Sequence, residues 1–473
     1  MTLREVLGDT ARDAPEVQVS ALAYDNRAVV PGTLFFCVPG FTRDGHDFAA
    51  DAVARGAVAL VVQRPLGLGV PEVRVDDVRA AMAPAAARLN GDPTATLRVA
   101  GITGTNGKTT TAYLLRSLLE AGGIHTGLLG TVTAVVAGEE QAVERTTPEA
   151  IDLQRTFRAM LDGGDRACVM EVSSHALALG RAAAIHWAVA VFTNLTQDHL
   201  DFHAGMEDYF EAKRRLFDAG PAASVVNVDD PYGARLAAAL PDAITVGIES
   251  ERARLRATDV VSDRGGSRFR ADGLELRTAL PGRFNVLNAL CAVAAARALG
   301  VDDEAIAAGL PGAARVPGRF EPVEEGQDFA VLVDYAHTPD SLRNVLRAAR
   351  ELTDGRVIAV FGAGGDRDRG KRPLMGAAGR EGADVVIVTS DNPRSEDPEA
   401  ILAAVVEGAG PAAEAILDRR EAIARAVELA RAGDVVVIAG KGHEQGQELA
   451  GGVKVPFDDV TVAREALRAR LVA

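Results

Sequence analysis

Short apolar runs, most of them rich in valine, lie at residues 58–62, 97–102, 167–171, 188–193, 224–228, 331–334, 357–361, 385–389 and 435–439. Each is too short for a buried helix and lacks the alternation of a strand with one wet face. Such runs read as strands covered on both sides. Between them fall stretches of helical period rich in alanine, leucine and arginine, at 110–121, 341–352 and 420–432. Parallel strands need a crossover connection, and an amphipathic helix supplies it, so the alternation predicts α/β layers around mainly parallel sheets. Segment 253–280 departs from this texture. It is short-ranged, alternating and turn-rich, with Asp263-Arg264-Gly265-Gly266 and Asp272-Gly273, and it predicts antiparallel hairpins.

A chain of 473 residues has room for about three domains. Turn chemistry at Asn90-Gly91-Asp92-Pro93-Thr94 and from Pro311-Gly312 to Pro317-Gly318 divides it into 1–95, 96–315 and 316–473. With 51 basic against 66 acidic residues, the net charge of −15 argues against a general nucleic-acid binder. An anionic substrate would have to be held by locally placed cations or helix ends. Cys37, Cys168 and Cys291 are far apart and support neither a disulfide framework nor a zinc site. They are expected to be buried small side chains. The N-terminus has no signal-like apolar core, and no run is apolar enough to span a bilayer. The expected location is the cytoplasm, without membrane insertion.

The strongest local signal is Gly104-Thr105-Asn106-Gly107-Lys108-Thr109-Thr110, placed between an apolar strand and a helix. In that context backbone N–H groups and the helix N-terminus cradle phosphates, Lys108 reaches the β- and γ-phosphates, and Thr109 can ligate Mg²⁺. The usual phosphate-loop pattern has glycine where this chain has Ile102. A nucleotide-binding loop is therefore expected, of a variant kind.

Further motifs follow in order. They are Thr146-Thr147-Pro148, Glu171-Val172-Ser173-Ser174-His175, Thr193-Asn194-Leu195, Asp198-His199-Leu200-Asp201 and Glu211-Ala212-Lys213. Then come Phe284-Asn285-Val286-Leu287-Asn288, Asp334-Tyr335-Ala336-His337, Gly365-Asp366-Arg367-Asp368 and Gly370-Lys371-Arg372-Pro373. Asp391-Asn392-Pro393-Arg394 and Gly440-Lys441-Gly442-His443-Glu444 close the set. From Tyr24 to Glu444 the ordered set resembles the Mur ligase family, which includes the folylpolyglutamate synthases. The resemblance implies three α/β domains: one holding the UDP end of a peptidoglycan precursor, a central ATPase, and a Rossmann-like domain that closes over the site. It implies ATP-dependent amide formation through an acyl phosphate, in cell-wall synthesis and hence in cell shape and division.

The family's site residues fall on matching positions. Gly104, Thr105, Asn106, Gly107, Lys108, Thr109 and Thr110, with Asn285, Asn288, Arg319 and Asp334, would hold ATP. For the last four, helix capping or interdomain hydrogen bonding is an equal alternative. Lys108, His199 and Lys213 would be catalytic, and Thr109, Glu171, His199 and Lys213 would hold Mg²⁺. Alone, Glu171 reads as a strand-end acid in an ion pair, and His199 as a solvated or core histidine. Lys213 alone reads as one cation of a solvated helix face. The resemblance instead makes Lys213 an N6-carboxylysine, a CO2-derived carbamate that gives a hard cation an oxygen ligand. Thr146, Thr147, Ser173 and Arg181 match positions that hold the substrate UDP-N-acetylmuramoyl-L-alanyl-D-glutamate. A polar family position two residues before Arg181 is Leu179 here. Tyr24, Asn26 and the variable loop Phe41-Thr42-Arg43 would meet the UDP portion, or are ordinary turn residues.

Arg367, Asp391, Asn392, Pro393, Arg394, Gly440 and Glu444 would form the amino-acid pocket. Both signs of charge suit a zwitterion with an extra carboxylate, meso-2,6-diaminopimelate. In the family an arginine at the fourth position of the Asp-Asn-Pro motif accompanies diaminopimelate. Lysine or ornithine would leave Arg394 without its partner. The alternatives are ligation of lysine or ornithine, a folylpolyglutamate synthase, or a non-catalytic phosphate-loop switch. The chain is read as a monomer, with its oligomeric state open.

Overall fold

The computed structural model describes residues 1–12, 14–40, 43–263 and 265–472. Two of the three residues of the loop at Phe41-Thr42-Arg43, and the turn residue Arg264, lie outside them. Contacts group the chain into two units that interleave along the sequence. One holds 1–103, 123–190 and 212–222; the other holds 104–122, 191–211 and 223–473.

The first unit contains a parallel four-stranded sheet in the order Ala21–Ala23, Thr33–Phe36, Ala57–Val62, Glu72–Arg74. Successive side chains of its central strands face opposite ways, and both faces are covered. Leu34, Phe36 and Val61 pack with Leu3, Val6 and Met82 from the helices Leu3–Leu7 and Val78–Leu89. Phe35, Cys37 and Leu60 pack with Ala49 and Ala52 on the other side. A second set of strands runs Arg98–Thr103, Ala167–Glu171, Thr126–Leu129, Ala134–Val136, Glu139–Gln141, the first three parallel and the last two antiparallel.

In the second unit, helix Lys108–Ala121 packs against the almost wholly buried helix Arg283–Ala298. The strands Ala223–Asn227, Ile244–Gly247 and Leu255–Asp263 pair in parallel. Gly266–Ala271 and Leu274–Thr278 then extend them as antiparallel hairpins, as the texture of 253–280 predicts. Its C-terminal sheet has the order Glu321–Pro322, Ala330–Asp334, Val435–Ala439, Val357–Phe361, Val385–Val388, Glu414–Ala415, parallel except for the first strand. Val357, Ala359 and Phe361 bury against Leu342, Leu346, Met375 and Val405, whereas Ile358 and Val360 bury against Ile423, Val427 and Leu467. Burial on both faces explains why these strands read as unbroken apolar runs.

All three cysteines are buried and free. Burial raises their thiols, to about 12 for Cys37 and Cys291. Among the described residues no helix is long and apolar enough to cross a membrane.

Candidate functional site

The phosphate loop follows the buried strand Arg98–Thr103 and opens helix Lys108–Ala121. Two glycines leave the loop room that side chains would fill. A Cβ on Gly104 would lie 1.9 Å from Thr193 Oγ1, and one on Gly107 would lie 2.2 Å from Asn288 Oδ1. Lys108 Nζ folds back to donate to the carbonyls of Gly104 (3.0 Å) and Thr105 (2.8 Å). Thr109 and Thr110 are buried in the first helical turn.

Thr193 and Asn194 brace this loop, a role the sequence motif did not reveal. Thr193 Oγ1 donates to the Asn106 carbonyl at 2.7 Å. Asn194 accepts from the Asn106 N–H through its side chain and from the Thr105 N–H through its carbonyl. Thr105 Oγ1 in turn lies 3.1 Å from the Tyr209 hydroxyl. Of the other nucleotide candidates, Asn288 reaches the loop, while Asn285 stands behind it, donating to the Pro281 carbonyl and accepting from Asn288. Arg319 Nη2 donates to Thr109 Oγ1 at 3.2 Å, and its guanidinium stacks 4.3 Å from the Tyr335 ring. Asp334 spends both carboxylate oxygens on backbone N–H groups, those of Phe320 (2.7 Å) and Ala336 (2.8 Å). Burial raises its carboxyl, against the pull of Arg319 and these two N–H groups. Asp334 thus braces the chain that carries Arg319.

His199 adopts a positive φ of 55°, and its Nε2 lies 3.4 Å from Asp198 Oδ2. Asp198 is buried, with His337 Nε2 at 3.5 Å and Lys371 Nζ at 3.8 Å. Burial alone would raise its carboxyl; His337, His199 and Lys371 override that and hold it well below the usual range.

The carboxyl ends of parallel strands in the C-terminal sheet, where open α/β sheets hold ligands, carry a further group of predicted motifs. Asp391 and Asn392 are buried after strand Val385–Val388. Asn392 Nδ2 donates to Glu444 Oε2 at 2.8 Å, and Lys441, with its side chain fully buried, donates to Asn392 Oδ1 (2.9 Å) and Glu444 Oε2 (3.0 Å). Arg394, at φ 50°, pairs through Nε with Glu448 (2.9 Å) and donates through Nη1 to the Gly365 carbonyl (2.8 Å). A Cβ on Gly365 would fall 1.9 Å from the Pro393 carbonyl, and one on Gly440 2.5 Å from Asp391 Oδ2. Arg367 donates to the Asp366 carbonyl at 2.9 Å, and among the described residues no hydrogen bond ties it to the other pocket candidates.

In the first unit, Glu171 ends its strand with its carboxylate accepting from the Thr131 N–H (2.8 Å) and Thr131 Oγ1 (3.0 Å). Thr146 meets the same Thr131 hydroxyl, and Thr147 donates to the Glu171 carbonyl and accepts from the Ser173 N–H. Ser173 caps helix Ser174–Ala178. Arg181 forms an ion pair with buried Glu149 at 2.9 Å, and Arg79 and Arg145 reach the same carboxylate. That three-arginine cluster has no motif signature. Tyr24 donates to Asp152 at 2.7 Å, but Asn26 bonds to exposed Asp51. Lys213, on helix Met206–Asp218, is 1% exposed, which overturns its reading as one cation of a solvated face. Among the described residues no three His, Cys, Asp or Glu side chains group as a metal site.

Comparison with known proteins gives three family matches: "Mur ligase family, catalytic domain" over 18–90, "Mur ligase middle domain" over 102–296, and "Mur ligase, glutamate ligase domain" over 318–442. Together they correspond to a three-domain α/β architecture. A UDP-N-acetylmuramoyl-L-alanyl-D-glutamate–2,6-diaminopimelate ligase of Solibacter usitatus is 46% identical, covering 99% of this chain and 98% of that protein. The ligase of the same name from Geobacillus thermodenitrificans is 48% identical, with 96% and 95% coverage. A solved structure bearing that ligase name superposes with a TM-score of 0.71 at 34% identity, covering 100% of this chain and 99% of that one. Identity of this degree along nearly the whole length, over a phosphate loop braced as described, places the chain in the Mur ligase family.

Proposed function

We propose that the chain is an ATP-dependent amide ligase that joins meso-2,6-diaminopimelate to UDP-N-acetylmuramoyl-L-alanyl-D-glutamate in peptidoglycan precursor synthesis. The observation that carries the choice of amino acid is the pairing of charge signs beyond the carboxyl ends of strands Val385–Val388 and Val435–Ala439. Asp391 and Glu444 can accept from an ammonium, and Arg394 can meet a second carboxylate. The relatives from Solibacter usitatus and Geobacillus thermodenitrificans carry the name of this activity.

The chemistry requires two anions to meet. The D-glutamyl carboxylate takes the γ-phosphoryl group of ATP; the amine of the amino acid attacks the acyl phosphate; phosphate leaves through a tetrahedral intermediate. Lys108 and the N-terminus of helix Lys108–Ala121 supply fixed positive charge at the phosphates. Gly104 and Gly107 let the backbone approach them, and Asn288 and Arg319 border the loop. Mg²⁺, when bound, would further neutralise the phosphate oxygens.

That cation would be held by the Thr109 hydroxyl, the Glu171 carboxylate, the His199 imidazole and a carbamylated Lys213, oxygen donors of the kind a hard ion prefers together with one nitrogen. Carbamylation of buried Lys213 would provide the oxygen that a lysine lacks. Tyr24, Asn26, Thr146, Thr147, Ser173 and Arg181 would bind the UDP-muramoyl-dipeptide. Arg367, Asp391, Asn392, Pro393, Arg394, Gly440 and Glu444 would bind diaminopimelate. The domain limits 1–95, 96–315 and 316–473 and a cytoplasmic location complete the reading.

Phosphate release with ATP and UDP-muramoyl-dipeptide, measured while the amino acid is varied, tests it. Release that depends on diaminopimelate and is weak with lysine or ornithine is expected. Release indifferent to the amino acid would refute the reading.

A further inference from the structure

Arg419 and Asp459 open two different helices, Arg419–Leu429 and Asp459–Val472, and both side chains are completely buried. Arg419 Nε and Nη2 donate to the two Asp459 carboxylate oxygens, each at 2.7 Å. The remaining reach of the guanidinium goes to backbone. Nη2 donates to the Ala439 carbonyl at 3.0 Å and Nη1 to the Ser390 carbonyl at 3.4 Å. Ala439 immediately precedes Gly440, and Ser390 immediately precedes Asp391. One buried cation therefore ties together the starts of both loops that carry the candidate amino-acid pocket. The loops are nearly touching there, since a Cβ on Gly440 would lie 2.5 Å from Asp391 Oδ2 and 3.7 Å from Arg419 Nη2.

A buried ion pair is a poor device for stability, because desolvation of both charges offsets their attraction and well-packed apolar residues do as well. It is a good device for position. The planar guanidinium fork can hold a carboxylate and two carbonyls from different chain segments at once, which a lysine ammonium on a flexible stem cannot.

We propose that Arg419, held by Asp459, is a positioning residue for the amino-acid substrate, setting the spacing between the Asp391–Arg394 loop and the Gly440–Glu444 loop. The inference rests on the proposed diaminopimelate ligase reading. Asp391, Asn392 and Glu444 lie on opposite sides of that spacing, so a small change in it moves the groups meant to receive one zwitterion.

The test uses the full chain and measures phosphate release with diaminopimelate and ATP varied separately. Arg419→Lys keeps the charge and loses the fork. Arg419→Met with Asp459→Leu keeps an apolar pair of similar bulk, and so the fold, while losing both carbonyl contacts. In each, KM for diaminopimelate is expected to rise about tenfold or more, with kcat and KM for ATP within about twofold of wild type. Unchanged KM for diaminopimelate in a folded variant, or equal rises in both KM values, would overturn the proposal. Failure of both variants to fold would also overturn it, by making the pair structural. If the wild type does not use diaminopimelate, the underlying reading fails instead.

Discussion

A Cβ on Gly104 would sit 1.9 Å from the Thr193 hydroxyl, the same hydroxyl that donates to the Asn106 carbonyl. The phosphate loop is thus closed from behind by a neighbouring strand end, with no space for a methyl group. Gly104→Ala is expected to lower kcat/KM for ATP by about 100-fold or more, because the loop must shift to admit the methyl. Removing the obstructing hydroxyl as well, in Gly104→Ala/Thr193→Ala, should recover part of the loss. Steady-state kinetics at varied ATP checks this; no recovery in the double variant would locate the damage elsewhere.

Lys441 lies fully buried between Asn392 and Glu444, both of which accept from it. Lys441→Met leaves the Glu444 carboxylate and the Asn392 oxygen without that donor. Stability should fall by about 2 kcal/mol, and KM for diaminopimelate should rise while KM for ATP holds. Thermal melts and kinetics on the same sample separate the two effects.

Much of this arrangement was legible in the chain, for a physical reason. Strands buried on both faces, such as Val357–Phe361 and Val435–Ala439, must be apolar throughout, so they stand out from the helices around them. The strands Ala21–Ala23 and Glu72–Arg74 are three residues long, and length alone hid them. The phosphate loop was readable because its chemistry is local. The roles of Glu149, Arg419 and Lys441 were not, because each depends on partners brought together only by folding. Glu149 gathers Arg79, Arg145 and Arg181 across up to 70 positions of sequence. Lys213 shows the limit from the other side: the run Lys213-Arg214-Arg215 looks solvated, and the helix turns its lysine inward.

Lys213→Ala and Lys213→Arg are each expected to reduce turnover to near background while the fold survives. Arginine keeps a positive charge but cannot take up CO2 as a lysine amine does. Wild-type activity should also fall when CO2 is stripped and return with bicarbonate. Turnover near wild type in a folded variant, or indifference to bicarbonate, would remove the carbamate.

The acid limb of stability has a traceable contributor just after the Asp-Asn-Pro-Arg turn. Glu396 accepts two bonds from Arg372 (2.8 and 3.1 Å) and one from the Asp366 N–H (2.7 Å). Bonding to Arg372, first of all, holds its carboxyl below the ordinary value of 4.5. A carboxyl lowered by folding contributes stability that is present above its unfolded pKa and is lost as pH falls through the folded one. Glu396→Gln should therefore be less stable at neutral pH by about 1 kcal/mol. The gap should close as the pH drops below the ordinary glutamate range. Denaturant melts across that interval check the sign; a constant gap would mean the ionised carboxylate is not its source.

In the proposed reading, the choice of amino acid falls to Arg394. Its Nε is paired with Glu448 and its Nη1 with the Gly365 carbonyl, so the guanidinium is fixed in direction before substrate arrives. Its backbone sits at φ 50°, a conformation that costs free energy for a residue other than glycine and that the surrounding loop must enforce. Pre-orientation of this kind favours a carboxylate at a defined place over a mobile contact. Arg394→Ala removes the cation and also leaves Glu448 without its partner, adding negative charge where the substrate's second carboxylate would lie. KM for diaminopimelate should rise by about two orders of magnitude, or about 2.7 kcal/mol, while KM for ATP changes little. Lysine, which has no second carboxylate, should lose nothing by the substitution and become the better substrate by comparison. Competition between the two amino acids, measured in wild type and variant, reads out that reversal. Equal losses for both would show that Arg394 holds the loop and not the ligand.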